Sequence, residues 1–347
     1  MKLPIYYTID VVSRCNLKCL YCPQGKESHD QPKKFMPFDA FRELTRDILQ
    51  HARSISLSNW SEPFLHPEIT GIIGYIKSNN PDIHLSLSSN GNVQTVNEQV
   101  IDAVIDAGLD RLEISISGLD QETYEKYHKK GSLQKAVDTL KLITRQKVRK
   151  NSRTPYVCVN YICFPYNVDR FGGIRDWLES EFQESALLDA VDEVRPVRGT
   201  IFAGLKFQKN IMKEYAQLWD GRLHKLSFRP RCHFVFKHLV IRADGMVFPC
   251  CVVDYDDKHS IGDLNSSSLE TIWEQGKKFR EGFVQGKNTL CNECVYIHGM
   301  FPNSNMTSFK LNLKLMYQMG LHYGYEFDRR VLNETVFRKL WIRHLGG

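Results

Sequence analysis

Eight residues near the start of the chain decide its fold: Cys15-Asn16-Leu17-Lys18-Cys19-Leu20-Tyr21-Cys22. The three thiols have the spacing C-x3-C-x2-C, which keeps them within one loop, so their sulfurs can converge on a single centre. A disulfide network would need an even number of cysteines placed apart. An iron-sulfur cluster normally takes four cysteines, and a cluster held by three leaves one iron open to a ligand that is not protein. The loop therefore predicts a ligand set for a metal centre.

This loop resembles that of radical S-adenosylmethionine (SAM) enzymes, whose motif is C-x3-C followed by an aromatic residue and a cysteine, as in Cys19-Leu20-Tyr21-Cys22. The resemblance implies that Cys15, Cys19 and Cys22 hold a 4Fe-4S cluster whose open iron is chelated by SAM, with Tyr21 near the adenine. It also implies that an electron, from a flavodoxin- or ferredoxin-type donor, cleaves SAM to a 5′-deoxyadenosyl radical that takes hydrogen from substrate. A zinc knuckle or three buried free thiols are the alternatives, but zinc loops usually pair two C-x2-C halves.

The composition is that of a globular protein. Of 347 residues, 42% are apolar and 25% charged, as in ordinary soluble domains. The sequence contains no apolar run of eighteen residues, and its N-terminus lacks the apolar core of a signal peptide. Ten cysteines, most of them grouped, indicate metal binding in a reducing compartment rather than disulfides. We therefore expect a cytoplasmic protein without a membrane segment.

The charge balance excludes one class of partner. A net charge of +6, with acidic residues spread among the basic ones, is far from the basic stripe of a nucleic-acid binder. It suits an anionic small molecule such as a phosphorylated or nucleotide-linked sugar. We expect a small-molecule substrate and no nucleic acid.

The sequence predicts an α/β fold. The β-branched and aromatic residues at 5–12 predict a buried strand that ends at the cysteine loop, where active sites of parallel sheets lie. Helical patterns then alternate with strand patterns at 54–58, 83–88, 111–116, 156–162 and 190–197. Six such units fall short of the eight that close a barrel. We expect a partial (β/α)6 barrel over residues 1–205, the usual architecture of the family that the chain resembles.

A second cysteine set follows, formed by Cys232, Cys250 and the pair Cys291-x2-Cys294, with an Asp244-Gly245 hairpin turn between its first two members. Four thiols suffice for one cluster, and a structural zinc ribbon is the alternative. The pattern resembles the SPASM extension in its shortened twitch form. That resemblance implies one auxiliary 4Fe-4S cluster, a domain over 206–305, and a helical tail at 306–347. Cys251 is an alternative ligand to Cys250, although a buried thiol is favoured because adjacent strand residues point to opposite faces.

The remaining cofactor contacts come from the resemblance. Ser58-Asn59-Trp60-Ser61-Glu62-Pro63 is similar to the family's Gly-Gly-Glu-Pro loop, with both glycines replaced, which implies that Glu62 holds the SAM amino group. Asn90 matches a turn that lines the cofactor site. Ser115 and Ser117 lie in a segment whose serine contacts the ribose, and Asn160 offers an amide to the ribose or the carboxylate of SAM. Each has an alternative role as an ordinary turn, loop or strand polar residue.

Substrate contacts are predicted from charged or phenolic groups near strand ends and the second cysteine set: Arg195, Arg198, Arg231, Tyr161 and Asp254. Arginine forks suit phosphate or carboxylate, whereas the alternative for each is a surface ion pair.

The reaction is inferred from the auxiliary cluster. With four cysteine ligands it has no open iron and is better suited to accept an electron, so we expect a C–OH group to be oxidised to a carbonyl. Epimerisation is the alternative, with Cys251 or Cys163 returning a hydrogen atom, although a buried structural thiol is favoured for both. Family analogy offers sugars, aminocyclitols or ribosomally made peptides as substrates. Peptide modifiers often carry an upstream leader-binding module, and only fourteen residues precede Cys15, so we expect a small polar metabolite. The rival from another class is a non-catalytic iron-sulfur or zinc protein.

Overall fold

The computed structural model describes residues 3–20, 22–26, 35–164, 166–198, 223–224, 232, 234–251, 259–292 and 301–302. The helical tail that the sequence predicts at 306–347 lies outside these residues.

Six strands run parallel in the order of the chain, each bonded to the next. They are β1 (Tyr6–Ile9), β2 (Ser54–Ser56), β3 (His84–Ser89), β4 (Arg111–Ile116), β5 (Tyr156–Cys163) and β6 (Glu193–Arg198). The connections carry α1 (Phe38–Thr45), α2 (Ile69–Asn79), α3 (Glu98–Asp106), α4 (Gln121–Tyr127), α5 (Leu133–Arg149), α6 (Ile174–Phe182) and α7 (Ser185–Asp189). The mixed α/β fold with a parallel sheet is confirmed, and among these connecting helices α7 is the one that the sequence pattern did not predict.

Several helices begin where their sequence provides a cap. The side chains of Asn97, Asp120 and Ser132 accept hydrogen bonds from backbone N–H groups in the first turns of α3, α4 and α5. Such caps satisfy donors that a helix start leaves unpaired. They fix where these three helices begin, and therefore the loops that lead into them.

The strands have two different faces. In β4, Leu112, Ile114 and Ile116 are fully buried in the core shared with the helices, whereas Glu113 and Ser115 point the other way. We call this second face, turned away from the helices, the inner face. It carries serines from β2 and β3 and charged groups from β4 to β6, so it offers polar contacts at the centre of the partial barrel.

The sheet continues past its first strand. Strand β8 (His238–Ile241) pairs parallel with β1, and β9 (Met246–Phe248) and β10 (Gly262–Asp263) extend it antiparallel. The predicted hairpin turn is confirmed, and Gly245 has the positive φ of 91° that such a turn favours. Residues 225–300 belong to one compact unit with residues 1–221, so the sheet crosses the domain boundary predicted near 205.

The described residues around β8 form four short helices. One precedes the strand, α8 (Phe234–Lys237), and three follow it, α9 (Leu269–Gln275), α10 (Lys277–Val284) and α11 (Thr289–Asn292). A second unit, residues 222–224 and 301–347, contains the antiparallel pair of β7 (Leu223–His224) and β11 (Phe301–Pro302). Among the described residues, no helix combines the length and apolarity needed to cross a bilayer.

Candidate active site

The cysteine loop is held by backbone hydrogen bonds to the end of α4 and the residues after it. The N–H of Lys18 donates to the carbonyl of Lys129 at 3.0 Å, and the N–H of Leu20 donates to the carbonyl of Tyr127 at 2.9 Å. Gly25 lies so close that a Cβ there would meet the Cys19 carbonyl oxygen at 2.1 Å. Only glycine therefore fits where the chain turns back against the loop.

The three thiols are close enough to affect one another. Burial raises the pKa of Cys15 to about 12 and that of Cys22 to about 11. Burial, followed by the charges of Cys22 and Cys15, raises the pKa of Cys19 further. Metal coordination reverses this, because a coordinated thiol is deprotonated outright.

The donor set of the loop fits an iron-sulfur cluster. Cys15, Cys19 and Cys22 are three thiols in one loop, and a 4Fe-4S cluster takes cysteine ligands, each on a different iron. Three of them leave one iron open to a ligand that is not protein.

Glu62 is the buried carboxylate beside this loop, with 2% of its surface exposed. One oxygen accepts from the Ser89 hydroxyl at 2.9 Å and from the Phe64 N–H at 3.2 Å, and the other accepts from the Asn90 N–H at 2.8 Å. Burial raises the pKa of Glu62 to about 7, although these donors oppose the shift. The carboxylate joins the loop after β2 to the end of β3, so the solvated-loop alternative does not describe it.

Asn90 connects Glu62 to the cysteine loop. Its side-chain nitrogen donates to the side-chain oxygen of Asn16 at 2.9 Å and lies 3.6 Å from the Cys15 sulfur. The structure therefore brings together Glu62, Asn90 and the first cysteine. These are three of the residues that the sequence analysis assigns to the SAM-binding site.

Asp10 is a site residue that the sequence analysis missed. It is 2% exposed at the end of β1, and its carboxylate accepts from the Asn59 N–H at 2.8 Å, the Ser61 hydroxyl at 2.7 Å and the Trp60 N–H at 3.3 Å. A carboxylate with several donors is well satisfied although buried. Asp10 thus holds the backbone of the Glu62 loop from below. An aspartate that interrupts an apolar strand next to a ligand loop was the available signal.

A charged network occupies the inner face at β4 to β6. The Arg195 guanidinium donates to Glu113 at 2.8 Å and to the Asn160 oxygen at 2.7 Å, and the Asn160 nitrogen donates to Glu113 at 2.7 Å. Arg111 donates to Glu113 at 2.7 Å and to Glu193 at 2.8 Å. Arg195 and Asn160 lie on the inner face. Both amide atoms of Asn160 and the guanidinium of Arg195 already have protein partners there.

The other predicted residues lie in different surroundings. Ser115 is half-buried on the inner face, whereas Ser117 is fully buried and donates to the Tyr124 carbonyl. Tyr161 and Cys163 lie on the helix side of β5, within the core, and the Tyr161 hydroxyl donates to the Asn167 carbonyl at 3.1 Å. The structure therefore does not bring Tyr161 or Cys163 to the inner face.

Some predicted residues fall outside the description. Arg198 ends β6, but its side chain is not described. The following lie outside the described residues altogether: Tyr21, Arg231, Asp254 and Cys294.

The three described members of the second cysteine set, Cys232, Cys250 and Cys291, converge beside α8 and α10. Cys232, Cys250 and Cys251 all pack against the buried pair Val235 and Cys291. Cys250 and Cys251 share this position, so the packing leaves both as ligands to be tested. The grouping is what an auxiliary metal centre requires.

Trp60 belongs to a small buried cluster that contacts cysteines of both sets. With Val240 and Phe248 it forms this cluster, and Cys22, Cys250 and Cys251 all pack against it. The Asn59 side chain also donates to the Cys251 carbonyl at 3.3 Å. The loop after β2 is therefore in contact with both centres.

Comparison with known protein families gives two matches. Residues 9–178 match the Radical SAM superfamily, and residues 232–295 match SPASM, an iron-sulfur cluster-binding domain. The first match begins at the last residue of β1 and covers the cysteine loop and strands β2 to β5. The second covers the predicted auxiliary cysteines from Cys232 to Cys294.

Two of the curated relatives are named as GTP 3′,8-cyclases. A probable GTP 3′,8-cyclase of Methanococcus maripaludis is 28% identical over 173 residues, which are 49% of this chain and 54% of the relative. A GTP 3′,8-cyclase of Limosilactobacillus fermentum is 24% identical over 279 residues, 72% of this chain and 80% of the relative. In the first of these relatives and two others of the same name, the match spans about half of the relative's length or less.

Solved structures share the fold at low identity. The native enzyme anSMEcpe with bound AdoMet has a TM-score of 0.59 at 14% identity, over 92% of this chain and 99% of that one. Streptococcus suis SuiB bound to its precursor peptide SuiA has a TM-score of 0.57 at 11% identity, over 81% of this chain and 67% of that one. These likenesses concern the arrangement of the chain and not its substrate.

Proposed function

Because the chain belongs to the radical SAM superfamily and carries a SPASM iron-sulfur domain, we propose that it oxidises a C–OH group of a small, polar, sugar- or aminocyclitol-like substrate to a carbonyl. The two domains imply SAM, a SAM-binding 4Fe-4S cluster and auxiliary iron-sulfur binding. When bound, these groups supply a hydrogen-abstracting 5′-deoxyadenosyl radical and a one-electron acceptor. The net change in the substrate is the loss of two hydrogens.

We assign the SAM-binding cluster to Cys15, Cys19 and Cys22. The auxiliary centre is assigned to Cys232, Cys250, Cys291 and Cys294, with Cys251 as the alternative to its neighbour. For SAM itself we assign Glu62 to the ammonium group, supported by its burial and by the place of Asn90 between it and Cys15.

One observation carries the choice of oxidation. Cys22 of the first cysteine set and Cys250 and Cys251 near the second all pack against the same small cluster of Trp60, Val240 and Phe248. An electron acceptor assembled at the second set would therefore lie close to the site where the substrate loses hydrogen. Proximity to an acceptor favours oxidation over a reaction that returns a hydrogen atom to the substrate.

The inner face supports a neutral substrate. Arg111 and Arg195 are each paired with a carboxylate there, so on the described part of this face two positive and two negative groups cancel. The half-buried serines of β2 and β3, such as Ser56 and Ser88, offer hydroxyl groups instead. Small hydrogen-bonding groups of this kind suit a polyol, and we therefore favour a hydroxyl-rich substrate.

The electron donor that we propose is an acidic protein of the flavodoxin or ferredoxin type. Leu20, between two of the cluster cysteines, is 40% exposed, and its loop is bonded to the segment that carries the exposed Lys126, Lys129 and Lys130. Positive charge around a small apolar contact favours fast association with an acidic partner.

The test is anaerobic incubation of the iron-loaded protein with SAM, a reductant and a panel of sugars and aminocyclitols in deuterated water. We expect 5′-deoxyadenosine together with a product two mass units lighter than the substrate. A product one mass unit heavier, lost in Cys251→Ala, would establish epimerisation instead. GTP belongs in the panel as well, because its conversion to an isomer of unchanged mass would replace the oxidation proposal with the activity named for the curated relatives.

A further inference from the structure

His128 is a buried histidine beside the cysteine loop with no role in the function proposed above. It follows α4 directly, is 2% exposed, and places its Nδ1 atom 3.5 Å from the Cys19 sulfur. Its Nε2 atom is buried and has no hydrogen-bond partner in the described part of the chain. The Cys19 sulfur is thus the polar contact of this ring.

The ring lies in a tightly fitted site. It stacks on Tyr124 with ring centres 4.5 Å apart. The Tyr127 ring packs against it in an edge-to-face arrangement, with ring centres 4.8 Å apart. A Cβ at Gly131 would meet Tyr124 and the His128 carbonyl oxygen, both at 2.9 Å, so glycine is required behind the stack. The backbone N–H of His128 donates to the Tyr124 carbonyl at 3.0 Å. These contacts fix the direction in which Nδ1 points.

Packing alone does not account for a histidine here. A phenylalanine would fill the same stack without burying a polar nitrogen that lacks a partner, and such unpaired groups are rare outside functional sites. We therefore expect the contact of Nδ1 with Cys19 to offset the free-energy cost of burying Nε2 without a hydrogen bond.

The state of Cys19 decides which nitrogen carries the proton. A cysteine binds iron as the thiolate, which accepts hydrogen bonds but donates none. A neutral imidazole has one N–H and one lone pair. With the proton on Nε2, two lone pairs would face each other across 3.5 Å, whereas with the proton on Nδ1 the contact is a hydrogen bond.

We propose that His128 donates a hydrogen bond from Nδ1 to the Cys19 thiolate and thereby raises the reduction potential of the cluster held by this loop. Reduction adds negative charge to the cluster and its sulfur ligands, so the bond is stronger in the reduced state. Hydrogen bonds to sulfur are among the features that set cluster potentials. His128 acts through Cys19 and is therefore a positioning residue. The proposal rests on the assignment of the SAM-binding cluster to Cys15, Cys19 and Cys22.

Potentiometric titration of the full-length, iron-loaded protein, followed by electron paramagnetic resonance, tests this directly. The relevant signal is the one that changes when SAM is added, which separates this cluster from the auxiliary one. In His128→Phe the stack is kept and the donor removed. We expect the ratio of reduced to oxidised cluster at a fixed potential to fall about tenfold, a shift of about 59 mV for one electron. His128→Asn, whose amide nitrogen can occupy the place of Nδ1, should stay within about twofold of the native ratio.

The outcomes separate the two levels of the argument. If native protein shows no signal that responds to SAM, the cluster assignment is wrong. If the signal is present and His128→Phe leaves its midpoint unchanged, the hydrogen bond does not tune the cluster. Should the variants fail to hold iron, the native protein labelled with ¹⁵N-histidine decides. Coupling of a histidine nitrogen to the reduced cluster supports the bond, and its absence overturns it.

Discussion

Glu62→Gln removes one negative charge from the centre of the proposed SAM site while keeping the shape of the side chain. In the native structure both oxygens accept hydrogen bonds, from the Phe64 N–H and Ser89 hydroxyl on one side and from the Asn90 N–H on the other. An amide has only one acceptor atom. In either orientation it sets its own N–H against a backbone N–H, of Phe64 or of Asn90.

This substitution should have two effects, one on SAM binding and one on the stability of the fold. Loss of the charge-assisted bond to the SAM ammonium should cost about 1.5 to 3 kcal/mol, and hence lower SAM affinity about ten- to a hundredfold. The mismatched backbone N–H should lower the free energy of unfolding by about 1 to 3 kcal/mol. The cluster itself should be retained, because Glu62 supplies no ligand to it.

The pKa of Glu62 adds a signature in pH. Burial raises it to about 7 in the protein without SAM, so below that pH the carboxyl group becomes protonated and no longer attracts an ammonium group. Native SAM affinity should therefore rise with pH up to about 7 and level off above it, by at most about tenfold per unit. The affinity of Glu62→Gln should lack this dependence.

The assay is anaerobic equilibrium dialysis with radiolabelled SAM from pH 5.5 to 8.5, with iron measured in the same samples. Glu68→Gln is the matched control, since Glu68 is exposed six residues further on and its side chain does not cap α2. Unchanged SAM affinity in Glu62→Gln at full iron content would refute the assignment of the ammonium site. An equal loss in Glu68→Gln would mean that net charge alone is responsible.

Three further predictions follow from the same region. Cys15→Ala should lower iron from about eight to about four per chain and abolish SAM cleavage, and a full iron content would contradict the division of the cysteines into two sets. Asp10→Asn should lower the free energy of unfolding by about 1 to 3 kcal/mol, measured by denaturant titration, because one of its donors loses its acceptor; an unchanged midpoint would show that the carboxylate does not hold the loop. Lys129→Glu should slow turnover about tenfold with an acidic flavodoxin at low salt but not with dithionite, and Arg153→Glu, which precedes β5 at the opposite end of the sheet, should affect neither. Equal effects of the two reversals would remove the docking argument.

The order of strands was predictable because strand patterns alternate with helical patterns along the chain, and three of the connecting helices, α3 to α5, also begin at a side-chain cap. The patterns at 111–116 and 156–162 match β4 and β5 to within a residue. The joining of β8 to β1 was not predictable. It depends on a pairing between residues more than two hundred positions apart, which no local pattern encodes.

The faces of β5 show why some site residues were misjudged. Val157, Cys158 and Val159 are all fully buried, so the strand lacks the alternation that would reveal which residues point inward. In the structure Asn160 points to the inner face and Tyr161 to the helices. A shift of one residue reverses the assignment, and only the register against β4 determines it.

The loop after β2 departs from the family's two glycines, and its surroundings supply the physical reason that such a departure is tolerated. Glycines allow a backbone to adopt its path without help from side chains. Here the path is imposed from outside, since Asp10 accepts from the N–H groups of Asn59 and Trp60 and from the Ser61 hydroxyl. The Trp60 side chain, 7% exposed, belongs to the buried cluster against which Cys22, Cys250 and Cys251 pack. The residues that replace glycine therefore tie the loop to both centres, and Asp10 becomes necessary for the position of Glu62 in a way that a loop built from glycines would not require.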